Sequence, residues 1–421
     1  MRQAGGHRCA TEGDNGAVPV AEESFRLSRV ALPAFGPTVL ASLGHGAVLP
    51  VLALSARELG ASVGVAALTV ALLGVGQLAG ALPSGALAAR IGERRALMVA
   101  AAIEAAAMAA ALMAPSVWVL GVAVFAMGLS GALFGLARQA YLTEVVPIAM
   151  RARALSTLGG VHRVGLFLGP FAGAAAVAAW GIQGAYAVAV ATSAAAFLLV
   201  LALPDLTARH ERAGAGLPRR SVWSVLVEHR RTLVTLGIGI LAIAAARGAR
   251  TSLLPLWAEN IGLSATDISL VFGISGALDM LLFYPAGAVM DRFGRAWIAV
   301  PTVVVLGLGM MALPLTHSMP TLTAVALVMA LGNGIGSGIV MTLGADAAPP
   351  DARPQFLGGW RLFADFGLSA GPLLVSAITV VAPLAVACLA LGTVSLAGGG
   401  WLARWVPRYD PVSRPFARRR T

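Results

Sequence analysis

Ten side chains that can carry or exchange charge stand inside stretches otherwise built from alanine, leucine, valine and glycine. They are the acids Glu104, Asp279 and Asp365, the bases Arg138, Arg163, Arg247, Arg250 and Arg361, and the histidines His45 and His162. An ionised group at the middle of a bilayer costs ~2.5–3.5 kcal/mol on insertion scales, so such groups should face the protein interior and have partners. A carboxylate can take up and release a proton as its surroundings alternate between wet and dry, because desolvation raises its pKa. An arginine cannot do so in practice. Asp279 and Asp365, with Glu104 third, are therefore the proton-carrier candidates. A static packing pair is the alternative for each. Asp279 lies 12 residues before Asp291, Asp365 lies 12 after Arg353 and Arg163 lies 12 after Arg151. At ~1.5 Å per residue all three reach a similar depth, ~18 Å along their helices.

The elements that must position these groups follow from composition. Of 421 residues, 58% are hydrophobic and 12% charged. Soluble domains usually carry about 25% charged residues. Apolar stretches near twenty residues recur along nearly the whole chain, each long enough to span a hydrocarbon core of ~30 Å. The 50 glycines favour close helix contact in a membrane. The short alternating segments of a β-barrel do not occur. This is an all-α polytopic membrane protein. Its net charge of +11 comes from arginine alone, since there is no lysine, and the arginines sit in short loops and tails. That pattern suits a membrane surface rather than nucleic acid. Cys9 and Cys388 form no CxxC pair, so neither a disulfide framework nor a metal site is expected. No metal triplet, nucleotide loop or nucleophile–base spacing supports an enzyme, and no cofactor is expected. The polar, glycine-rich start reads as a cytoplasmic tail rather than a signal peptide.

Twelve helices are expected, at about 31–56, 63–88, 96–114, 117–144, 153–179, 184–203, 233–257, 265–289, 297–315, 320–345, 355–380 and 382–403. The chain divides into an N-terminal tail (1–30), a six-helix half (31–203), a central loop (204–231), a second half (232–403) and a basic tail (404–421). With both termini inside, 24 arginines fall in or beside cytoplasmic segments and only Arg57 falls outside. The excess of basic residues on one side sets that orientation.

A shift of 202 positions superposes the sequence on itself. Pro83-Ser84-Gly85 meets Pro285-Ala286-Gly287, Arg90 meets Arg292, Gly92 meets Gly294 and Gly169-Pro170 meets Gly371-Pro372. Leu59-Gly60-Ala61-Ser62 meets Ile261-Gly262-Leu263-Ser264. The chain is thus two parallel six-helix repeats, an arrangement that places a substrate site between the halves near the midplane.

Two loops carry a resemblance. Gly85, Arg90, Gly92 and Arg94 lie between helices 2 and 3, and Gly287, Asp291, Arg292 and Gly294 lie between helices 8 and 9. Both stretches resemble the cytoplasmic loop motif of the major facilitator superfamily. The motif's acid is replaced by Ala89 in the first copy, so only Asp291 could serve the latch that this acid forms in the family. Helix 5 carries Gly165, Gly169, Pro170 and Gly173, and helix 11 carries Gly367, Gly371 and Pro372. The helix-5 pattern resembles that of drug–proton antiporters of the superfamily, although small-residue packing alone also produces it. The family's helix-4 arginine is missing; Val124 stands near its place.

The resemblance implies the major facilitator fold, with helix 5 against helix 8 and helix 2 against helix 11. Contacts of Arg163 with Asp279 and of Gln77 with Asp365 follow from it. It also implies a cavity lined by helices 1, 4, 7 and 10, making His45, Arg247, Arg250 and Asn333 substrate candidates. Two cavity arginines would favour an anionic substrate; the alternative for Arg250 is a reach to the outer interface. Trp360 and Arg361 read as an anchor at the inner interface, and Glu104, on a peripheral helix, as structural. The expected function is proton-coupled export of a drug or metabolite by alternating access at the plasma membrane, with substrate, protons and lipid as partners and a monomer sufficing. Proton-coupled uptake and a non-transporting receptor are the alternatives.

Overall fold

The computed structural model describes residues 27–146, 148–202, 222–349 and 352–410. Helix α1 is Leu27–Val48, bent by 44° across residues 49–51 into Leu52–Glu58. Then come α2 (Val63–Ile91), α3 (Glu93–Leu112), α4 (Val117–Val145), α5 (Ile148–Trp180) and α6 (Ile182–Ala202). A short helix, Val222–Glu228, lies against α11 and precedes α7 (Arg230–Asn260). The second half continues with α8 (Ala265–Phe293), α9 (Ala296–Ala312), α10 (Met319–Ile335, then Ile339–Ala347), α11 (Arg353–Val381) and α12 (Leu384–Tyr409). Eleven helices are long and apolar enough to cross a membrane, and the bent α1 makes a twelfth.

The helix ends reproduce the 202-residue repeat in backbone geometry. Gly60 and Gly262 have φ of +82° and +83°, and Gly92 and Gly294 have φ of +84° and +97°. Residues with a side chain rarely adopt such angles, so the loops need glycine there. At the first pair, Ala61 N–H bonds Ala56 O and Gly60 N–H bonds Arg57 O, while Leu263 N–H bonds Ala258 O and Gly262 N–H bonds Glu259 O. These are matching Schellman ends. Ser62 and Ser264 then cap the next helix by accepting from Val65 N–H and Asp267 N–H.

The helix ends also depart from expectation by several residues, as at Ile148 of α5, and most of all at the C-terminus. Helix α12 continues to Tyr409, six residues past the expected 403. Arg404 and Arg408 therefore ride on helix, with Arg408 stacked 4.6 Å over the Trp405 ring. An apolar run marks where a helix leaves hydrocarbon, not where the helix ends, so an amphipathic extension escapes it. Most of the expected tails and of the central loop, at 1–26, 203–221 and 411–421, falls outside the described residues.

The glycines of the helix-5 and helix-11 motifs work as packing surfaces. A Cβ at Gly165 would stand 2.6 Å from Ser42 Cβ, one at Gly169 would stand 2.5 Å from Leu43 O, and one at Gly173 would stand 2.8 Å from Ala47 O. All three press α5 onto α1. A Cβ at Gly367 would stand 2.6 Å from Leu241 O, and Gly371 abuts Ala245 in the same way, pressing α11 onto α7. Close backbone approach is how membrane helices gain dispersion energy without a hydrophobic drive.

Across the halves, α5 packs on α8 and α2 on α11, while the Leu52–Glu58 end of α1 and helix α2 both touch α7. Gly64 lies against Ser376 and Thr379, and Gly74 against Ser369. At the face carrying the α1–α2 and α7–α8 turns, Arg57 Nε pairs with Glu259 Oε1 at 3.0 Å. These residues are mates under the repeat, so the pair sits where the two halves meet symmetrically and carries opposite charges.

Replacing Gly169 with leucine should force α5 from α1 at backbone atoms that cannot yield. Overpacking of this kind costs ~1–3 kcal/mol or more. Thermal unfolding in nanodiscs should show a clear loss for Gly169→Leu and little for Gly160→Leu, whose Cβ position is open. Equal losses would mean that the stripe does not hold α1.

Candidate functional site

Two adjoining cavities occupy the interior. The first, about 280 Å³, lies mainly within the N-terminal half. Its wall includes His45 of α1, Gln77 of α2, Glu104 of α3, Ser130 and Arg138 of α4, His162 of α5 and Arg361 of α11. The second, about 230 Å³, lies between the halves. Its polar wall is Arg163 of α5, Arg250 and Thr251 of α7, Asp279 of α8 and Asn333 of α10, and its apolar wall includes Phe167, Phe272 and Met280. Leu49 and Leu166 line both. Neighbours in sequence face opposite cavities: His45 and His162 the first, Gly46 and Arg163 the second. Helices α1 and α5, locked together by their glycines, form the partition.

In the first cavity Ser130 Oγ donates a hydrogen bond to Glu104 Oε2. No arginine pairs with Glu104 among the described residues. Ser42 Oγ bonds His162 Nδ1, and Arg138 Nη1 lies 3.4 Å from the same nitrogen. Glu104 thus lies on the wall of a polar cavity. Arg361, expected at an interface, instead lines this cavity and holds Asp365 at 3.6 Å, one turn along α11. Trp360 is no anchor either: it is buried and donates from Nε1 to Val340 O at 2.8 Å. A residue at the start of an apolar run reads as interfacial in sequence, but helix rotation decides where it points.

In the second cavity Asn333 Nδ2 donates to Asp279 Oδ2 at 3.0 Å, and Arg250 Nη1 lies 3.5 Å from the same oxygen. Arg250 Nη2 donates to Ser275 Oγ. Arg250 is buried at 9% exposure and points inward, not to an interface. Asp279 Oδ1 and the Nε atoms of Arg247 and Arg250 are buried with no hydrogen-bond partner among the described residues. Arg247 lines neither cavity; its Nη2 reaches Asn333 O. That contact falls where α10 breaks into a 3-10 turn at Gly336–Gly338, within Gly332-Asn333-Gly334-Ile335-Gly336-Ser337-Gly338.

Arg163 and Asp279 therefore share one cavity, whereas Asp365 takes its charge partner from its own helix and Gln77 faces the other cavity. In the loops, Arg94 donates to the carbonyls of Val200 and Leu201, so it holds the end of α6. Arg295 Nε pairs with Asp346 at 2.9 Å and Nη1 lies 3.5 Å from Asp291. Asp291 itself is 81% exposed. Arg90 is exposed, and Arg292 stacks over the Phe293 ring.

The family model described as Major Facilitator Superfamily matches residues 35–246 and 236–421, one match for each half. The chain belongs to this superfamily. It is 26% identical over 326 residues to multidrug resistance protein MdtH of Enterobacter sp. (strain 638), covering 76% of this chain and 72% of that protein. Its fold is similar to that of a POT family transporter solved with 5-aminolevulinic acid (TM-score 0.73, 14% identity, covering 90% of this chain and 96% of that one). It is also similar to a D-xylose–proton symporter (TM-score 0.68, 14% identity, covering 91% and 98%). As a member of a transporter superfamily with twelve spans in two repeats, the protein is a multi-pass membrane transporter.

Truncating Asp279 to alanine would strand Arg250 without its carboxylate. Breaking a buried pair by removing one partner costs ~3–5 kcal/mol, whereas replacing both with apolar groups is often nearly neutral. Unfolding of Asp279→Ala, Arg250→Leu and the double variant in nanodiscs should give a double loss smaller than either single loss. Additive losses would show that the two groups do not hold each other.

Proposed function

We propose that the protein exports a small organic solute across the plasma membrane in exchange for protons, with both termini cytoplasmic. The observation that carries this reading is Glu104. It is an acid on a cavity wall whose only described side-chain partner is the Ser130 hydroxyl. In a membrane interior such a carboxylate must be neutralised, either by a proton or by a charge that the cargo brings. Asp279 and Asp365 each already have an arginine. We therefore put Glu104 ahead of them as the proton carrier, with the His45–Ser42–His162 group lining its route toward the centre.

The similarity to a multidrug resistance protein supports the outward direction and a drug or metabolite as cargo. The arginine distribution supports the orientation. On that orientation the Arg57–Glu259 face is the outer one. Arg57, the single arginine outside, is there to pair across the halves. The state described is then closed outside. Alternating access follows if the halves rock about the α2–α11 and α5–α8 contacts, which Gly64, Gly74 and Gly273 keep close. The loop arginines not bound to helix ends meet lipid phosphate. One chain contains both halves and so the whole path.

Inside-out vesicles with an acid lumen test the exchange. Adding a transported compound should alkalinise the lumen as protons leave against it. Glu104→Gln should abolish that change while compound binding persists. Further acidification would mean co-transport and an uptake carrier. No proton movement across a broad panel, or full exchange in Glu104→Gln, would overturn the proposal.

A further inference from the structure

We infer that the first cavity takes an amphoteric solute, with an ammonium group against Glu104 and a carboxylate against Arg138. This rests on the transport reading and names the class of its solute. The two residues stand at different heights on one wall. Ser130, which donates to Glu104, lies on α4 with Phe134 and Arg138, and all three line the cavity. Steps of four residues keep them on one stripe of the helix. The eight residues from Ser130 to Arg138 span ~12 Å along the axis. Among the described residues, neither Glu104 nor Arg138 has a partner of opposite charge. Glu104 has the Ser130 hydroxyl, and Arg138 has His162 Nδ1 at 3.4 Å. An arginine only donates, so His162 meets it as an acceptor through an unprotonated nitrogen and brings no charge. Arg361 lines the same wall, but Asp365 stands 3.6 Å from it.

One acid and one base thus face the same space, each met by a neutral group. A cation alone would answer Glu104 and leave Arg138 as it is. An anion alone would do the reverse. An amphoteric solute answers both and carries no net charge into the membrane, where each uncompensated charge is costly. The planar guanidinium offers paired donors to its carboxylate. Phe134 stands between the two ends, and Leu49 and Leu166 add apolar wall for the body that joins the solute's charges. The ammonium and the exchanged proton answer the same carboxylate, so the solute's arrival at Glu104 releases the proton.

Isothermal titration of the full-length protein in nanodiscs at neutral pH, with empty nanodiscs subtracted, decides this. The probes are 4-(aminomethyl)benzoate, its methyl ester and 4-methylbenzoate. They share a ring and carry both charges, the positive one or the negative one. The amphoteric probe should bind at least about tenfold tighter than either of the others, as expected for one more ion pair in a partly desolvated site. Glu104→Gln should retain binding but bring that probe down to the level of 4-methylbenzoate, leaving its advantage over the ester. Arg138→Gln should bring it down to the level of the ester, leaving its advantage over 4-methylbenzoate, and Arg138→Lys should restore part of the loss. A merely structural residue would weaken all three probes alike. If Arg138→Gln fails to fold, the wild-type ranking and Glu104→Gln still decide. Either single-charge probe binding as tightly as the amphoteric one, an amphoteric advantage that survives both variants, or a variant that weakens all three alike would overturn the inference. Proton exchange driven by the ester but not by the amphoteric probe would overturn it and leave export standing. Amphoteric preference in nanodiscs with no proton exchange for any compound would overturn export and leave the amphoteric site standing.

Discussion

A charge in hydrocarbon must be answered by another group, and that requirement organises this protein. A soluble protein can turn an awkward arginine toward water. A membrane helix offers only lipid, a neighbouring helix or an internal cavity. Arg94 is answered by the carbonyl ends of α6, Arg57 by Glu259, Asp365 by Arg361 and Asp279 by Arg250. Each answer joins segments distant in the chain or fixes one turn of a helix. The polar residues, few as they are, set which helices can slide and which cannot.

Packing does the complementary work. With no hydrophobic drive between helices in lipid, α1 and α5 hold together because Gly165, Gly169 and Gly173 let backbones touch. That contact also separates the two cavities, since consecutive residues on α1 and α5 face opposite sides of the partition. A motif that resembles an antiporter signature therefore has a mechanical role, keeping the Glu104 compartment apart from the Arg250 compartment. Leu49 and Leu166 stand in the wall that the two share.

Much of this was legible in the sequence. The helix count and the two-fold repeat follow from apolar length and a single offset, and the family resemblance implied the cross-half helix partners. Depth was legible too, because residue spacing along a helix converts directly to height. Rotation was not. A helix in a membrane is apolar on both its lipid face and its protein face, so hydrophobic patterning does not say which way a lone polar residue points. That is why Arg361 and Trp360 read as interfacial; Glu104 read as peripheral because the resemblance puts its helix there. It is also why Arg138 and His162, visible as buried charges, found no role until the cavity brought them together.

The offset that reveals the repeat also reveals where the copies have parted. Glu104 corresponds to Leu306, Ser130 to Gly332, Arg138 to Val340, His162 to Ala364 and Ser42 to Ala244. Those five polar groups of the first cavity are thus apolar or absent in the second half. There Leu306 is fully buried and a Cβ at Gly332 would stand 3.1 Å from its backbone nitrogen, so the equivalent space is packed solid. The second half instead places Arg247 where the first has His45, and Asp279 where the first has Gln77. Two bundles with one architecture have taken different charges: an acid bonded to a serine in a polar chamber on one side, an arginine–aspartate pair with Arg247 close by on the other. A symmetric fold needs such divergence before it can treat two ions differently, because identical halves would offer a proton and a solute the same choices.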